Sequence, residues 1–204
     1  MFKRLTFITL AIASAFTMQA QSTLRSAWLS QPDSLFPYLD KGKRAEMLDY
    51  FDMNINEKVK NSLEGGSKIV VLTNDYLNAE INESCNLGMK LFVSQAGDTA
   101  ICVVKTLEAS MKESQIYITT PDWKKLRHIN TPQDLKLFVS DSIPPDTLQK
   151  LQEIIVPLTI ETRLSADDDI VVQQISFPIL SKEERVWAER FLLQRKFKLI
   201  SLIQ

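Results

Sequence analysis

The sequence predicts a single α+β domain, in which an antiparallel meander sheet of about seven to nine strands packs against helices. Apolar residues recur at helical spacing before the Gly65–Gly66 pair and alternate with polar residues after it. Only short polar turns separate the apolar runs between residues 69 and 118, so neighbouring strands should pair antiparallel. The expected helices are an N-terminal hairpin and two helices in the C-terminal half.

Residues 1–20 have the layout of a secretory signal peptide. A basic start is followed by an apolar run of twelve residues, 5–16, and by the small residue Ala20. A helix of that length rises about 18 Å, well short of a bilayer core of about 30 Å. An uncleaved anchor is the alternative interpretation. We expect cleavage between Ala20 and Gln21, a domain of residues 21–204 without a membrane span, and a periplasmic or secreted location.

The stretch from residue 33 to residue 52 predicts the helical hairpin. Ser34 can cap a first short helix that has Pro37 in its first turn, and Gly42 suits the left-handed position that ends it. A second helix is expected over residues 43–52. Its inner face should carry Met47, Leu48 and Phe51. The basic residues Lys41, Lys43 and Arg44 should lie at the tip of this hairpin. Packing of the hairpin on a core is favoured over the alternative, a recognition element.

The strands are predicted from short apolar or alternating runs. In the meander these runs are residues 69–72, 77–81, 87–93, 99–107 and 116–118. One face of this sheet should be dry and the other wet. A second hairpin is expected from residues 158–164 and 170–177, and an edge strand from residues 197–201.

Two helices are predicted after the meander. One begins at the Pro144–Pro145 pair, and the other begins at Ser181, which forms a capping box with Glu184. The second helix should run to about Arg195. The segment 135–139 fits either a strand or part of a helix.

Composition argues against several classes of function. The 24 basic and 25 acidic side chains leave no excess positive charge for nucleic acid. The five glycines are too scattered for a phosphate-binding loop, so no nucleotide cofactor is expected. The single histidine, His128, has no nucleophile motif such as G-x-S-x-G to serve.

Metal binding has one weak candidate, the acidic turn Asp167, Asp168 and Asp169. Three carboxylates are concentrated there, but a calcium loop also needs spaced ligands and a glycine for its tight bend. We therefore favour a turn that faces water.

Aromatic residues after the last meander strand are the candidate binding site. Tyr117, Trp123 and His128 flank a proline turn and would form a flat patch if Trp123 is exposed. In the alternative interpretation Trp123 is tucked under the sheet.

The two cysteines, Cys85 and Cys102, fall in neighbouring strands of the predicted hairpin. Cys102 should lie opposite Lys90 or Leu91, roughly 16 Å of strand away from Cys85. A disulfide needs Cα atoms within about 7 Å. The hairpin therefore favours two free thiols, and pairing stays open if the chain bends after Cys85.

Three stretches together resemble a family of uncharacterised secreted proteins of Bacteroidetes. They are the D-S-L-F-P-Y-L run at 33–39, the T-P-D-W turn at 120–123 and the L-S-x-E-E pattern at 180–184. The likeness extends from residue 33 to the C-terminus. The resemblance implies a location outside the cytoplasm of a Gram-negative bacterium, and it brings no activity, cofactor or catalytic residue.

The leading hypothesis is a non-enzymatic binding or interaction module of the periplasm, with another envelope protein or a small ligand as its partner. The reason is that no nucleophile–base pair, metal cluster or phosphate loop is evident. A hydrolase whose carboxylates meet only in the fold is the second hypothesis, and a structural protein of the cell envelope is the third.

Overall fold

The computed structural model describes residues 24–95, 97–177 and 179–203 and confirms the α+β class. The predicted signal peptide and its cleavage site, Ala20–Gln21, lie outside these residues. None of the helices that the structure describes is long and apolar enough to span a bilayer.

Four helices and ten strands make up the described chain. The helices cover residues 24–30 (α1), Lys41–Asp52 (α2), Pro145–Ile154 (α3) and Lys182–Glu189 (α4), with 3₁₀ turns at Leu135–Phe138 and Leu199–Ile203. The strands are β1 (Val59–Lys60), β2 (Gly66–Leu72), β3 (Tyr76–Asn82), β4 (Cys85–Val93), β5 (Thr99–Glu108), β6 (Lys112–Thr119), β7 (Arg127–Ile129), β8 (Thr159–Leu164), β9 (Ile170–Ser176) and β10 (Arg195–Lys198).

The predicted second helix of the hairpin is confirmed as α2, with Met47 and Leu48 buried, but the predicted first helix is absent from the described residues 33–40. Residues 33–38 form turns, so Ser34 caps no helix, and Gly42 lies in the first turn of α2. Asp40 is the cap, because its Oδ1 accepts a hydrogen bond of 2.9 Å from the Lys43 N–H. The side-chain carboxylate of Asp40 thus starts α2 at Lys41, close to the expected start at about residue 43.

Arg44 was expected at an exposed tip, and it is 2% exposed. Its guanidinium donates to the backbone oxygens of Leu29, Gln31 and Leu39 and to Asp33 Oδ1. Buried charge is tolerated only when it is hydrogen-bonded in this way. Arg44 therefore joins α2 to α1 and to the turns between them.

The first seven strands form the predicted meander, in the order β1 to β7 with each neighbouring pair antiparallel. Cys102 lies directly opposite Lys90, as the hairpin predicted, and Cys85 lies opposite Leu107. Both cysteines are free thiols and both are buried.

The remaining strands form a separate three-stranded sheet, ordered β10–β9–β8, where the sequence predicted one sheet. The hairpin of β8 and β9 is confirmed, and β10 is an edge strand as expected, but of this second sheet. Ser114 of β6 accepts a hydrogen bond of 2.8 Å from the Thr162 N–H, so β8 lies directly against the large sheet.

Both faces of the central strands are covered, which corrects the expectation of one wet face. Leu87 and Met89 of β4 pack in a core with α1 and α2. On the opposite face, Cys102 and Val104 of β5 pack with Val171 of β9. The second sheet thus occupies the face that the alternation pattern assigned to water.

Lys90 also points toward the second sheet and is 2% exposed. Its ammonium lies 2.9 Å from Asp75 Oδ2 and donates a hydrogen bond of 3.1 Å to the Ala166 carbonyl. Asp75 precedes β3, and Ala166 lies in the turn between β8 and β9. The Lys90 ammonium therefore links the β8–β9 turn of the small sheet to the large sheet.

The C-terminal helices form a third apolar cluster with the second sheet. Its buried members include Phe138, Leu151, Ile160, Ile175 and Ala188. The capping box at Ser181 is confirmed, but α4 ends at Glu189 and leaves Val186 46% exposed. The segment 135–139, which sequence left open, begins as a 3₁₀ turn.

Candidate functional site

Trp123 does not belong to an exposed patch. It is 7% exposed, and its indole Nε1–H donates a hydrogen bond of 2.8 Å to the Ala27 carbonyl of α1. Its backbone has φ of +60°, a left-handed conformation rare for an aromatic residue. The indole is thus buried in the core between α1 and the large sheet, as the alternative interpretation held.

Tyr117 and His128 do lie together, because they are direct partners in the β6–β7 pair. Their rings meet edge to face with centroids 5.2 Å apart. His128 is exposed and Tyr117 is half-buried. Without Trp123 the two rings are a small cross-strand pair, and their role in binding stays a prediction.

The acidic turn is exposed, and its polar atoms serve the turn itself. Asp168 Oδ1 accepts a hydrogen bond of 3.0 Å from the Ile170 N–H, and Ser165 Oγ accepts from the N–H groups of Asp167 and Asp168. The hydrogen bond from the Ile170 N–H and the hydrogen bond with the Ser165 side chain lower the pKa of the Asp168 carboxyl. Across the described ranges, no group of three or more His, Cys, Asp or Glu side chains is placed to hold a metal ion.

A polar cleft, which we call the inter-sheet cleft, lies where the second sheet and α4 meet the end of the large sheet. Its volume is about 500 Å³. The charged and amide side chains on its walls are Lys112, Glu161, Gln174, Arg185, Glu189 and Gln194. A smaller recess of about 280 Å³ opens between the sheets and shares Lys112 and Glu161 with it.

Glu161 is held in one orientation at the junction of the two cavities. It is 9% exposed, and its Oε2 accepts a hydrogen bond of 2.6 Å from Gln174 Nε2. The Gln174 Oε1 in turn accepts from Arg163 at 2.7 Å and from Gln194 at 2.8 Å. Lys112 Nζ lies 3.6 Å from Glu161 Oε1, so the carboxylate has a cation beside it.

Arg185 of α4 is a second cation on the lining of the cleft. The Arg185 guanidinium stacks on the Phe177 ring at 5.2 Å from its centroid. Within the part of the chain that the structure describes, Arg185 takes part in no salt bridge. Its charge is therefore available to an anionic group that enters the cleft.

The cleft lining holds two carboxylates, Glu161 and Glu189. A carboxylate-based hydrolase needs two carboxyl groups that face each other in one pocket. Glu161 accepts a hydrogen bond from the Gln174 amide and lies beside Lys112. The acids whose pKa is clearly shifted, Asp40, Asp52, Asp122, Asp168 and Glu184, all have it lowered by hydrogen bonds. Those acids are ionised at neutral pH and act as helix caps, turn acceptors or ion-pair partners, and none of them lines the inter-sheet cleft.

Sequence reasoning missed this cleft. The only local signal is Glu161, an acid inside an otherwise apolar or neutral run, 158–162. Lys112 and Arg185 lie far from it along the chain, and nothing in the side-chain pattern links them.

Comparison with known proteins identifies a family without an assigned activity. The family described as "Protein of unknown function (DUF3256)" matches residues 15–199. A solved structure, described as a domain of an uncharacterized protein from Porphyromonas gingivalis W83, is similar with a TM-score of 0.68. The two sequences are 18% identical, and the match covers 85% of this chain and 92% of the other. The likeness at this identity is one of fold. No curated protein matches the sequence.

Proposed function

Because the chain belongs to the DUF3256 family of proteins of unknown function, we propose a function from its own geometry. The protein is a non-enzymatic binding module of the bacterial periplasm, and it holds a small polar ligand in the inter-sheet cleft. The observation that carries this proposal is that one cavity is lined by a fixed carboxylate, Glu161, and by the guanidinium of Arg185, which forms no salt bridge among the described residues.

The ligand class follows from the groups on the walls. An uncommitted guanidinium favours a carboxylate or phosphate, which it can bind through two parallel hydrogen bonds. The Gln194 amide and the Glu161 carboxylate can bind hydroxyl or amide groups of the same ligand. Because the amides already hold each other in place, little side-chain entropy is lost on binding. Glu189 also lines the cleft and forms no salt bridge with any residue that the structure describes, so its carboxylate can bind an amine or hydroxyl of the same ligand. A small molecule that joins a carboxylate or phosphate to several hydroxyl, amide or amine groups therefore fits the cleft best.

The proposed location rests on the basic start, apolar run and small residue at positions 1–20. Cell fractionation should recover the protein outside the cytoplasm, and mass spectrometry should find a chain that begins at Gln21. A chain that still begins at Met1, or one found in the cytoplasm, would contradict export. The binding proposal does not depend on this result.

Binding is tested by NMR of the mature chain with glucuronate, with alanyl-glutamate and with neutral N-acetylglucosamine. We expect the anionic probes to shift the side-chain amide signals of Gln174 and Gln194, and to do so more than the neutral sugar. Arg185→Ala should weaken that binding about tenfold or more. Arg190→Ala is the matched control, because Arg190 is exposed and follows α4 outside the cleft.

Two outcomes would contradict the proposal. One is the absence of saturable shifts at the cleft with either anionic probe. The other is equal binding by the Arg185→Ala and unmodified proteins. Turnover of a probe would favour the hydrolase hypothesis instead.

A further inference from the structure

The outer edge of β2 is open over most of its length. On one side β2 pairs with β3 along residues 68–72. On the other side the two-residue strand β1 covers only Gly66 and Ser67. Among the described residues, no backbone hydrogen bond reaches the outer edge of residues 68–72. Unpaired backbone groups in such a row are a template for one more strand.

A groove of about 400 Å³ runs beside this edge, which we call the β2 groove. The loop 54–57 forms its far wall, and Tyr50 and Phe51 of α2 contribute aromatic surface to its lining. Val70 of β2 is 44% exposed and Ile55 of the loop is 39% exposed. Side chains of an added strand would thus meet apolar surface as soon as the backbone pairs.

Of the two charged side chains that line the β2 groove, Glu57 has no ion-pair partner among the described residues. Lys68 lines the groove, but its ammonium lies 3.6 Å from Glu80, which also pairs with Lys58 at 3.0 Å. Glu57 lines the groove as well and forms no salt bridge with any residue that the structure describes. Because Lys58 and Lys68 share Glu80, the four charges sum to zero, and the attraction for a basic residue is local to the Glu57 carboxylate.

We propose that the β2 groove binds an extended segment of a partner protein, which adds to the edge of β2 as an extra strand. The segment has alternating apolar residues that face the groove and a Lys or Arg that reaches Glu57. Residues 68–72 provide about 16 Å of edge, enough for a segment of roughly five residues. An extended strand is the one conformation whose backbone groups match the spacing of those on the edge.

A second copy of this chain fits the edge less well. The pairing of β2 with β3 is irregular between Ile69 and Val71, where Val70 is an extra residue. Such a bulge increases the local twist and disturbs the ladder with any added strand at that residue. Symmetric pairing of two copies would bring two bulges into one ladder, whereas a separate segment meets only one.

The test uses a short fluorescent peptide of alternating Val and Thr with one central Lys, and measures its anisotropy with the mature chain. Two matched peptides carry Glu in place of the Lys, or Pro in place of alternate Thr. We expect the Lys peptide to bind about tenfold more tightly than either. Backbone amides of residues 68–72 should also exchange more slowly with deuterium when that peptide is bound.

Protein variants locate the site. Val70→Lys places a charge on the open edge and should weaken the binding of the Lys peptide about tenfold. Leu137→Lys is the matched control, because Leu137 is 47% exposed and lies in a 3₁₀ turn outside the groove. Glu57→Lys should reverse the preference, so that the Glu peptide binds better. Arg185→Ala should change none of these affinities, which separates this site from the inter-sheet cleft.

Three results would overturn the proposal. They are no saturable binding of the Lys peptide, equal weakening by Val70→Lys and Leu137→Lys, and equal affinity for the Lys and Pro peptides. Concentration-dependent dimers that Val70→Lys abolishes would assign the edge to a second copy, and would overturn it too.

Discussion

Replacing Asp75 with alanine should destabilise the protein clearly more than replacing its buried partner, Lys90, with methionine. Asp75→Ala leaves the ammonium of Lys90 between the two sheets with one remaining hydrogen bond, to the Ala166 carbonyl. Lys90→Met keeps the length of the side chain and removes the charge that needs a partner. A buried charge without its partner is the costly case, whereas apolar replacement of a buried pair is often nearly neutral.

The magnitude follows from the contacts of Lys90. A hydrogen bond to a charged group contributes about 1.5–3 kcal/mol. The side chain of Asp75 is 46% exposed, so water can partly replace it, and the loss should lie near the lower end. We expect Asp75→Ala to cost about 2 kcal/mol. Lys90→Met should cost less than about 1 kcal/mol, mainly because the Ala166 carbonyl loses its donor.

The assay is urea unfolding of each variant and of the double variant, with the slope of the transition checked for change. In a separate thermal unfolding experiment, a loss of about 2 kcal/mol should lower Tm by roughly 4–8 °C for a chain of this length. Asp141→Ala is the control, because Asp141 is exposed in a turn. Equal losses for Asp75→Ala and Asp141→Ala, or a larger loss for Lys90→Met than for Asp75→Ala, would refute the reasoning.

Three further predictions concern single side chains. Ser181→Ala should cost about 1 kcal/mol in urea unfolding, because the cap of α4 is lost; an unchanged midpoint would contradict it. Hydrogen bonds from Ser181 lower the pKa of Glu184, so the contribution of Glu184 to stability is present above pH 4.5 and is lost as the pH falls through its lower folded-state pKa. Glu184→Gln should therefore reduce the loss of stability in acid, and a pH profile of stability identical to that of the unmodified protein would contradict this prediction. Burial raises the pKa of both Cys85 and Cys102, so a thiol reagent should react slowly with the native protein and should detect two thiols after denaturation. Fast labelling of the native protein would contradict this prediction.

Local patterns predicted the parts of the fold that depend on neighbouring residues. The capping box at Ser181 needs only a hydroxyl and a carboxylate three residues apart. The pairing of Cys102 with Lys90 needs only two alternating runs and the turn between them. Where two local signals competed, the prediction was wrong: Asp40 caps α2, although Ser34 and Gly42 fitted a different helix pattern.

The candidate sites could not be predicted in this way. The inter-sheet cleft joins Lys112 of β6, Glu161 of β8 and Arg185 of α4, and no spacing in the sequence connects them. The open edge of β2 depends on how soon β1 diverges from it. Both features arise from how the elements are arranged in space.

The sequence alone determined the α+β class, the meander of hairpins and several helix starts, because side-chain period, turns and caps act over a few residues. Only the tertiary structure decided that there are two sheets, that Arg44 and Lys90 are buried, and that a cleft lies between the sheets. The physical reason is that a lysine among apolar residues looks solvent-exposed until its distant partners are known. For Lys90, those partners are a carboxylate 15 positions earlier in the chain and a carbonyl 76 positions later.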